Sequence, residues 1–404
     1  FAKKDGSQFV SSKLQFSNDK WTLGRDVTDM DWSPIKRELL VASYNKPTFA
    51  VVGAAQGGTS TTPSNPNNPN SAVMVSIAPN DTPSSSLAPR SGELQADGLA
   101  LVWNLSMPTR PEHIFVCGSP ITLVKFHPTE PQLVLGATDS GQVVIWDVRA
   151  GRLPVQRSSQ SHTHPICGME LIEGGQTLVT AATDGKVNFW SLGNLRDPAE
   201  SLQLDCNIAS LTSLPETQGL LCGDERGTLH LISQRAERKR PVRKLASGSH
   251  FGMVTSITAT KVNPGKKAKK RVGTSFALSC GVDWTIKLWS PTTRDQPLLE
   301  LTSPTYDYYC SVQWNPMHPT LFCTASSNGS LGLWNLGTSM EEMVGEIVVG
   351  DGLNKVRWSA DGRRMLVACA DKVHVLSLAE HVLQRDGNEE ERVVQQLKLR
   401  GLKV

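Results

Sequence analysis

Short runs in which apolar and polar residues alternate recur along the chain, separated by Pro, Gly or Asn. A period of two residues predicts β-strands, and the intervening residues predict tight turns. Five of these runs end in Trp, and two further runs carry an aliphatic residue in the same slot. The seven slot residues are Trp103, Trp146, Trp190, Ile232, Trp289, Trp334 and Leu376.

Successive slot residues are 43, 44, 42, 57, 45 and 42 positions apart. This is the period of a four-stranded propeller blade. Each unit also carries an upstream pair of strands, such as ITLVKFHP followed by LVLGAT. One four-stranded sheet cannot bury both of its faces, whereas a ring of sheets packs face to face. We therefore predict an all-β fold, a seven-bladed β-propeller.

The ring must close on itself. The last repeat ends with its third strand near Leu378, so we expect the missing outer strand from the N-terminal segment, at Lys13–Phe16 or Gln8–Val10. The expected organisation is an N-terminal segment at 1–26 that helps to close the ring, the propeller at 27–380 and a tail at 381–404. In that tail, Val393, Val394 and Leu397 fit one face of a short helix.

Two repeats carry the same four polar or aromatic types in step. They are His162, Thr180, Asp184 and Trp190 in one repeat, and His250, Ser279, Asp283 and Trp289 in the other. This pattern resembles WD40 repeat proteins, which implies a buried structural relay of hydrogen bonds. A Ser-His-Asp catalytic triad is the alternative interpretation. We favour the structural relay because the set recurs at the blade spacing, whereas an enzyme needs one active site.

Composition adds local features to this regular pattern. The 404 residues are 39% hydrophobic and 20% charged, with a formal net charge of +3. No run reaches the 18 apolar residues of a membrane span, and the first residues lack the apolar core of a signal peptide. The eight scattered cysteines, without a CxxC pair, indicate reduced, buried thiols in a cytosolic protein.

Three stretches depart from the repeat, and insertions in repeat proteins usually face partners. Residues 45–97 are rich in Ser, Thr, Pro, Asn and Gly, so we expect a mobile insertion. A basic loop at 261–271 and a basic connection near 235–240 leave from the same rim. They predict one composite patch, which contains Arg235, Arg238, Lys239, Arg240, Lys266, Lys267, Lys269, Lys270 and Arg271.

This patch could attract nucleic acid, an acidic protein surface or acidic tails, or could be a solvated loop without a partner. No aromatic residue interleaves KVNPGKKAKKR, which argues against nucleic acid. Phosphate-loop, dinucleotide-binding, HExxH and GxSxG motifs are absent from the sequence. The close pair His162 and His164 lacks further metal ligands nearby in sequence. We therefore expect no enzyme activity, cofactor, metal or direct membrane binding.

Several stretches resemble cytoplasmic dynein intermediate chains. They are DWSP and ELLVASY at 31–44, DGLALVWNL at 97–105, SGQVVIWDVR at 140–149, SHTHPI at 161–166, TDGKVNFWSL at 183–192, DWTIKLW at 283–289, WNPMHPTLF at 314–322 and LNKVRWSADGRR at 353–364. The resemblance covers about residues 27–380. It departs from the family in the 45–97 insertion and the Lys-rich loop.

The resemblance implies a non-catalytic scaffold subunit of a microtubule motor, cytoplasmic and microtubule-associated. Its propeller would dock on the heavy-chain tail and support assembly and cargo or adaptor attachment in minus-end-directed transport. An extension before the propeller would bind light chains and a dynactin-type activator, and two copies would occur per motor. That extension is missing here or reduced to residues 1–26. The alternative function is a WD40 adaptor of a chromatin or ubiquitin-ligase complex.

Overall fold

A computed structural model describes residues 9–45, 96–159, 161–215, 219–233, 242–262, 274–384 and 389–400. Twenty-eight strands and two short α-helices lie within these ranges. The first fourteen strands are β1 (Val10–Phe16), β2 (Val27–Trp32), β3 (Leu39–Tyr44), β4 (Gly98–Asn104), β5 (His113–Cys117), β6 (Ile121–Phe126), β7 (Leu133–Thr138), β8 (Val143–Asp147), β9 (Gln156–Arg157), β10 (Ile166–Ile172), β11 (Thr177–Ala182), β12 (Lys186–Ser191), β13 (Glu200–Gln203) and β14 (Ile208–Ser213).

The remaining elements complete the ring and add two helices at its end. The strands are β15 (Leu220–Asp224), β16 (Leu229–Ile232), β17 (Val242–Leu245), β18 (Val254–Val262), β19 (Thr274–Gly281), β20 (Thr285–Trp289), β21 (Leu299–Thr302), β22 (Tyr309–Trp314), β23 (Leu321–Ser326), β24 (Ser330–Asn335), β25 (Gly345–Val348), β26 (Leu353–Trp358), β27 (Arg364–Cys369) and β28 (Lys372–Leu378). The helices are α1 (Glu380–Leu383) and α2 (Glu389–Leu399).

The described strands form seven four-stranded antiparallel sheets, and the predicted seven-bladed propeller is confirmed. Blades 1 to 6 take four consecutive strands each, from β2–β5 to β22–β25, with the first strand innermost. Blade 7 has the order β26-β27-β28-β1. The seven inner strands contact one another in sequence, and β26 contacts β2, so the ring is closed.

The outer strand of blade 7 comes from the beginning of the described chain. Strand β1 pairs antiparallel with β28, with Lys13 opposite Leu376 and Phe16 opposite Val373. The two ends of the propeller therefore share one sheet. Phe16 is fully buried and packs edge-on against Trp103 of blade 1, 5.8 Å away between ring centroids. This contact ties the closing strand to the next blade as well.

The hydrophobic core lies between neighbouring blades. Seven clusters of buried side chains each join residues of two adjacent sheets or of a sheet and a helix. Trp103, Trp146, Trp190 and Trp289 in the third strands are fully buried. An indole of this size buries enough apolar surface to dominate the packing of each sheet against its neighbour.

The eight cysteines carry free thiols. The prediction that all of them are buried is wrong for Cys167, Cys206 and Cys310, which are half-buried. Cys167 and Cys310 belong to the inner strands β10 and β22, and Cys206 lies in the connection between β13 and β14. Side chains of inner strands border the central channel and those of connections border solvent, so neither position is fully enclosed.

Helix α2 packs on the side of the propeller. Val393, Val394 and Leu397 are buried in the cluster that includes residues of blades 5 and 6. The hydroxyl of Thr320 donates a hydrogen bond of 3.1 Å to Glu389 at the start of the helix. Neither helix in the described ranges has the length and apolar character needed to cross a membrane.

The propeller has two rims, which differ in the connections they carry. The upper rim, as defined here, carries the turns between second and third strands and the connections from one blade to the next. The lower rim carries the connections between first and second and between third and fourth strands. Because strands alternate in direction, all connections of one kind meet on one face of the disc.

Candidate functional site

The predicted relay residues of blade 5 lie together beneath the upper rim. His250 Nδ1 is 3.0 Å from Asp283 Oδ1, and its Nε2 is 2.7 Å from the Ser279 hydroxyl. The indole N–H of Trp289 donates to the same hydroxyl at 2.8 Å. Burial alone would raise the pKa of Asp283, but hydrogen bonds and the charge of His250 outweigh it and hold this pKa well below its usual range.

Blade 3 repeats this arrangement. His162 Nε2 and the indole N–H of Trp190 each lie 2.8 Å from the hydroxyl of Thr180. His162 Nδ1 is 3.3 Å from Asp184, a longer contact than in blade 5. Burial lowers the pKa of His162, against the attraction of Asp184. The imidazole therefore tends towards its neutral form, which can donate through one ring nitrogen and accept through the other.

These sets differ from a nucleophilic site in one respect. The hydroxyls of Ser279 and Thr180 are completely buried, and each already accepts a hydrogen bond from an indole. A catalytic hydroxyl must reach a substrate carbonyl while it bonds to its base. The enclosed hydroxyls offer no such approach, so their geometry favours a structural role.

Blade 6 carries a shortened version of the relay. The indole N–H of Trp334 donates to the Thr324 hydroxyl at 3.1 Å. Asn328 occupies the position that an aspartate has in blades 3 and 5, and it is exposed. It does not pair with a histidine; its amide N–H donates to Asp307 at 2.8 Å. The link between indole and hydroxyl is therefore kept where the link to the turn is lost.

Blade 4 holds a polar group that the sequence pattern did not indicate. His230 Nε2 lies 2.9 Å from Asp224 Oδ2, and both side chains are buried. Burial alone would lower the pKa of His230, but the hydrogen bonds to Asp224 and Cys206 outweigh it and raise it to about 9. One signal was available in the sequence, since this repeat carries Ile232 instead of Trp and has a histidine inside the strand LHLI.

The predicted basic patch lies outside the described residues. All nine of its positions fall in 234–241 or 263–273, and most of the 45–97 insertion falls in 46–95. The strands that flank the two basic connections end at the lower rim, since β16 and β18 both run in the direction of an inner strand. The patch remains a prediction.

Four exposed aromatic residues lie close together on the upper rim of blades 5 and 6. This aromatic patch consists of Phe251, Trp284, Tyr306 and Tyr308, of which Phe251 is 90% and Tyr306 70% exposed. The rings of Trp284 and Tyr306 meet edge to face, with centroids 5.9 Å apart. The backbone N–H of Phe251 donates to Asp283, the residue before Trp284. Exposed aromatic residues in contact mark interaction surfaces.

Trp284 occupies a backbone position that glycine occupies in other blades. The corresponding turns place Gly141, Gly185, Gly227 and Gly329 at φ angles of 78° to 92°. Trp284 has a φ of 63° and is 45% exposed. A bulky side chain in this region costs on the order of 1 kcal/mol. The backbone is therefore strained at a position whose indole side chain is exposed to solvent. Alignment of the repeats would have shown from the sequence that Trp replaces Gly at this position.

A central cavity of about 410 Å³ is lined by side chains of the inner strands. Its charged groups pair with one another, with Arg357 3.3 Å from Asp29 and Lys125 2.8 Å from Glu170. Burial raises the pKa of Asp31 to about 6, although Lys125 and Arg357 favour the charged form. These ion pairs join the inner strands of neighbouring blades and stabilise the closed ring.

Comparison with known proteins shows that the chain is similar to dynein intermediate chains. Residues 87–173 match the family described as the dynein axonemal intermediate chain 3 WD40 domain. The cytoplasmic dynein 1 intermediate chain of Drosophila melanogaster is 30% identical over 397 residues. That alignment covers 94% of this chain and 52% of the relative, so the chain spans about half the length of the curated relative.

Proposed function

We propose that this chain, which is similar to dynein intermediate chains, is a non-catalytic scaffold subunit of a cytoplasmic dynein motor. In this proposal its propeller docks on the tail of the heavy chain and supports assembly and cargo or adaptor attachment. The single observation that carries the proposal is the sequence relationship along 94% of the chain. A rigid disc with connections on two faces is physically suited to such docking.

The aromatic patch is the surface that we assign to the heavy chain. Trp and Tyr are the residues that most often dominate binding energy at protein interfaces. Here Trp284 and Tyr306 both have positive φ angles, at 63° and 59°, so the chain holds two aromatic residues in strained conformations side by side. Strain of this kind persists where it serves a function.

The charge around the patch indicates the chemistry of the partner. The four surrounding connections, 246–253, 282–284, 303–308 and 327–329, contain two aspartates and no Lys or Arg. Lys287 lies beneath Phe251, where its ammonium group donates to the backbone oxygens of Gly248 and Ser249. We infer that the docked segment is an amphipathic helix of the heavy-chain tail with an apolar face and flanking basic residues.

Other parts of the proposal rest on the relationship alone. Light chains and a dynactin-type activator would bind a segment before the propeller. Two copies would occur in each motor, in the cytoplasm and on microtubules. The heavy chain would supply nucleotide hydrolysis, and the His-containing relays of blades 3 and 5 would be structural.

A binding experiment with the full chain tests this function. We expect the purified chain to bind a heavy-chain tail fragment, and the double variant Trp284→Gly, Tyr306→Ala to bind at least about tenfold more weakly, because hot-spot residues contribute about 2 kcal/mol or more. Leu153→Ala is the matched control, since Leu153 is 66% exposed on the lower rim. The affinity is read by fluorescence anisotropy of a labelled tail fragment.

The outcomes separate the function from the surface. Absence of binding by the wild-type chain would contradict the scaffold function. Equal affinities of the wild type and the double variant would contradict the assignment of the aromatic patch while leaving the function intact. Circular dichroism and a melting curve show whether each variant is folded.

A further inference from the structure

Three potential metal ligands converge at the interface between blades 3 and 4. They are the thiol of Cys206, the carboxylate of Asp224 and the imidazole of His230. One donor atom of each lies within 4.8 Å of the others. Cys206 comes from the connection between β13 and β14, Asp224 from the end of β15 and His230 from β16. Three separate segments of the chain therefore meet at one point beneath the upper rim.

The corresponding space in blades 3 and 5 is filled differently. There, a histidine from the connection between blades bonds to a Ser or Thr hydroxyl that also holds the indole. In blade 4 the Ser or Thr position, opposite His230 in the sheet, is Cys222, and the Trp position is Ile232. The relay cannot form without the hydroxyl and the indole. Blade 4 thus replaces it with a thiol, a carboxylate and an imidazole.

The carboxylate of Asp224 is held in a fixed orientation. Its Oδ1 accepts the backbone N–H groups of Arg226 at 3.0 Å and Thr228 at 2.6 Å. Its Oδ2 accepts neither of these and faces His230 Nε2. In metal sites, hydrogen bonds of this kind orient the side chains that coordinate the ion, and they raise the affinity for the metal by about 10- to 100-fold.

We propose that Cys206, Asp224 and His230 form a binding site for Zn²⁺, with water as the fourth ligand. Thiolate, imidazole and carboxylate are the three donor types that Zn²⁺ takes in proteins, at about 2.0–2.3 Å. Tetrahedral bonds of this length place donors roughly 3.3–3.7 Å apart. Metal binding would bring the donor atoms, which now lie within 4.8 Å of one another, to this spacing and would widen the 2.9 Å contact between His230 and Asp224.

Metal binding exchanges protons for the ion. Zn²⁺ takes the place of the proton between His230 and Asp224, and the thiol of Cys206 loses its proton on coordination, so both protons go to solvent. Cys206 is half-buried, which gives the ion a path from solvent. The bound ion ties the connection between blades 3 and 4 to the second and third strands of blade 4, as the relay does in blades 3 and 5.

Cobalt substitution tests the site in the full chain. The chain is purified under reducing conditions, treated with EDTA, dialysed and titrated with Co²⁺. We expect one equivalent of Co²⁺ to produce a thiolate-to-cobalt charge-transfer band, and Zn²⁺ to displace it. Cys206→Ser should abolish the band, and His230→Gln should weaken Co²⁺ binding at least about tenfold. Zn²⁺ should also raise the melting temperature of the wild type.

The remaining cysteines require a matched control. Cys310→Ser alters another half-buried thiol, on β22, and should leave the band unchanged. A folded wild-type chain that gives no charge-transfer band would overturn the proposal, as would a band that persists in Cys206→Ser. A Zn²⁺-dependent rise in melting temperature that is equal in wild type and Cys206→Ser would also count against it.

Discussion

Blades 5 and 6 are neighbouring copies of one architecture, and they differ at two adjacent residues of the same turn. Blade 5 has Asp283 and Trp284, and blade 6 has Asn328 and Gly329. Both blades keep the bond from the indole to a Ser or Thr hydroxyl. In these two blades the bond between the indole and its hydroxyl is kept, while the turn residues differ and are free to take on a second role.

The two turns differ most in how they are tied to the blade. Asp283 accepts four donors, which are the ring of His250, the backbone N–H of Phe251, and the backbone N–H and hydroxyl of Thr285. Asn328 makes two hydrogen bonds at an exposed site, to Ser330 and Asp307. The firmer attachment in blade 5 supports the strained backbone of Trp284.

The largest expected effect comes from removing these side chains. Asp283→Ala should lower the free energy of unfolding by about 3 kcal/mol, because it leaves buried donors without acceptors. Asn328→Ala should lower it by less than about 1 kcal/mol, because solvent replaces the lost bonds. Urea denaturation followed by Trp fluorescence measures both values. Similar losses of unfolding free energy in the two variants would show that the relay of blade 5 contributes no more to stability than the turn of blade 6 does.

A smaller effect on the free energy of unfolding is expected from substituting the next residue of each turn, which is Trp284 in blade 5 and Gly329 in blade 6. Gly329 has a φ of 85°, and a Cβ built on it would lie 1.6 Å from the backbone oxygen of Gly350. Gly329→Ala should therefore cost about 1–3 kcal/mol of unfolding free energy. Trp284→Gly should change it by less than about 1 kcal/mol, since the relief of strain offsets the entropy of the unfolded glycine.

Melting curves of the two variants in the same buffer give this contrast. A Trp284→Gly variant that is as unstable as Gly329→Ala would mean that the indole packs as a structural element of the rim. A loss of affinity in Trp284→Gly would then not by itself assign the indole to the interface.

The fold could be predicted from the sequence because its signal is repeated. Seven slots at a spacing near 44 residues determine the number of blades, and the alternation within each run gives the strands. The repeat also places His250, Ser279, Asp283 and Trp289 in step with the set of blade 3, and the resemblance to WD40 repeat proteins implies that they form one relay. The structure brings these four side chains together within hydrogen-bonding distance.

Features that break the repeat were harder to predict. The aromatic patch combines Phe251, Trp284 and Tyr306 from three separate connections, which the folding of blade 5 brings to the same rim. The group of Cys206, Asp224 and His230 likewise joins three segments. The repeat period predicts the features that the blades share. The aromatic patch and the group of Cys206, Asp224 and His230 depend on residues in which one blade differs from the others.

The smallest expected effect is a difference in pH dependence between the two turns. The pKa of Asp283 lies below its usual range in the folded chain, so its carboxylate contributes stability that is complete above the unfolded pKa of about 3.9 and is lost as the pH falls through the folded value. The difference in unfolding free energy between wild type and Asp283→Asn should therefore stay constant from pH 7 to about pH 5 and shrink below about pH 4.

In blade 6 a carboxylate should destabilise the folded chain at pH 7, which is the reverse of its effect in blade 5. Asn328→Asp places a second negative charge beside Asp307, 2.8 Å from the present amide nitrogen, and like charges raise a carboxyl pKa. This variant should lose less than about 1 kcal/mol at pH 7, because the site is exposed, and should recover it as the pH falls below about 5. When the carboxylate form is compared with the amide form at each position, the free-energy difference should fall with falling pH at residue 283 and rise at residue 328. Slopes of the same sign in this comparison would mean that His250 does not stabilise the charge of Asp283, and the distinction between the two turns would then rest on Trp284 alone.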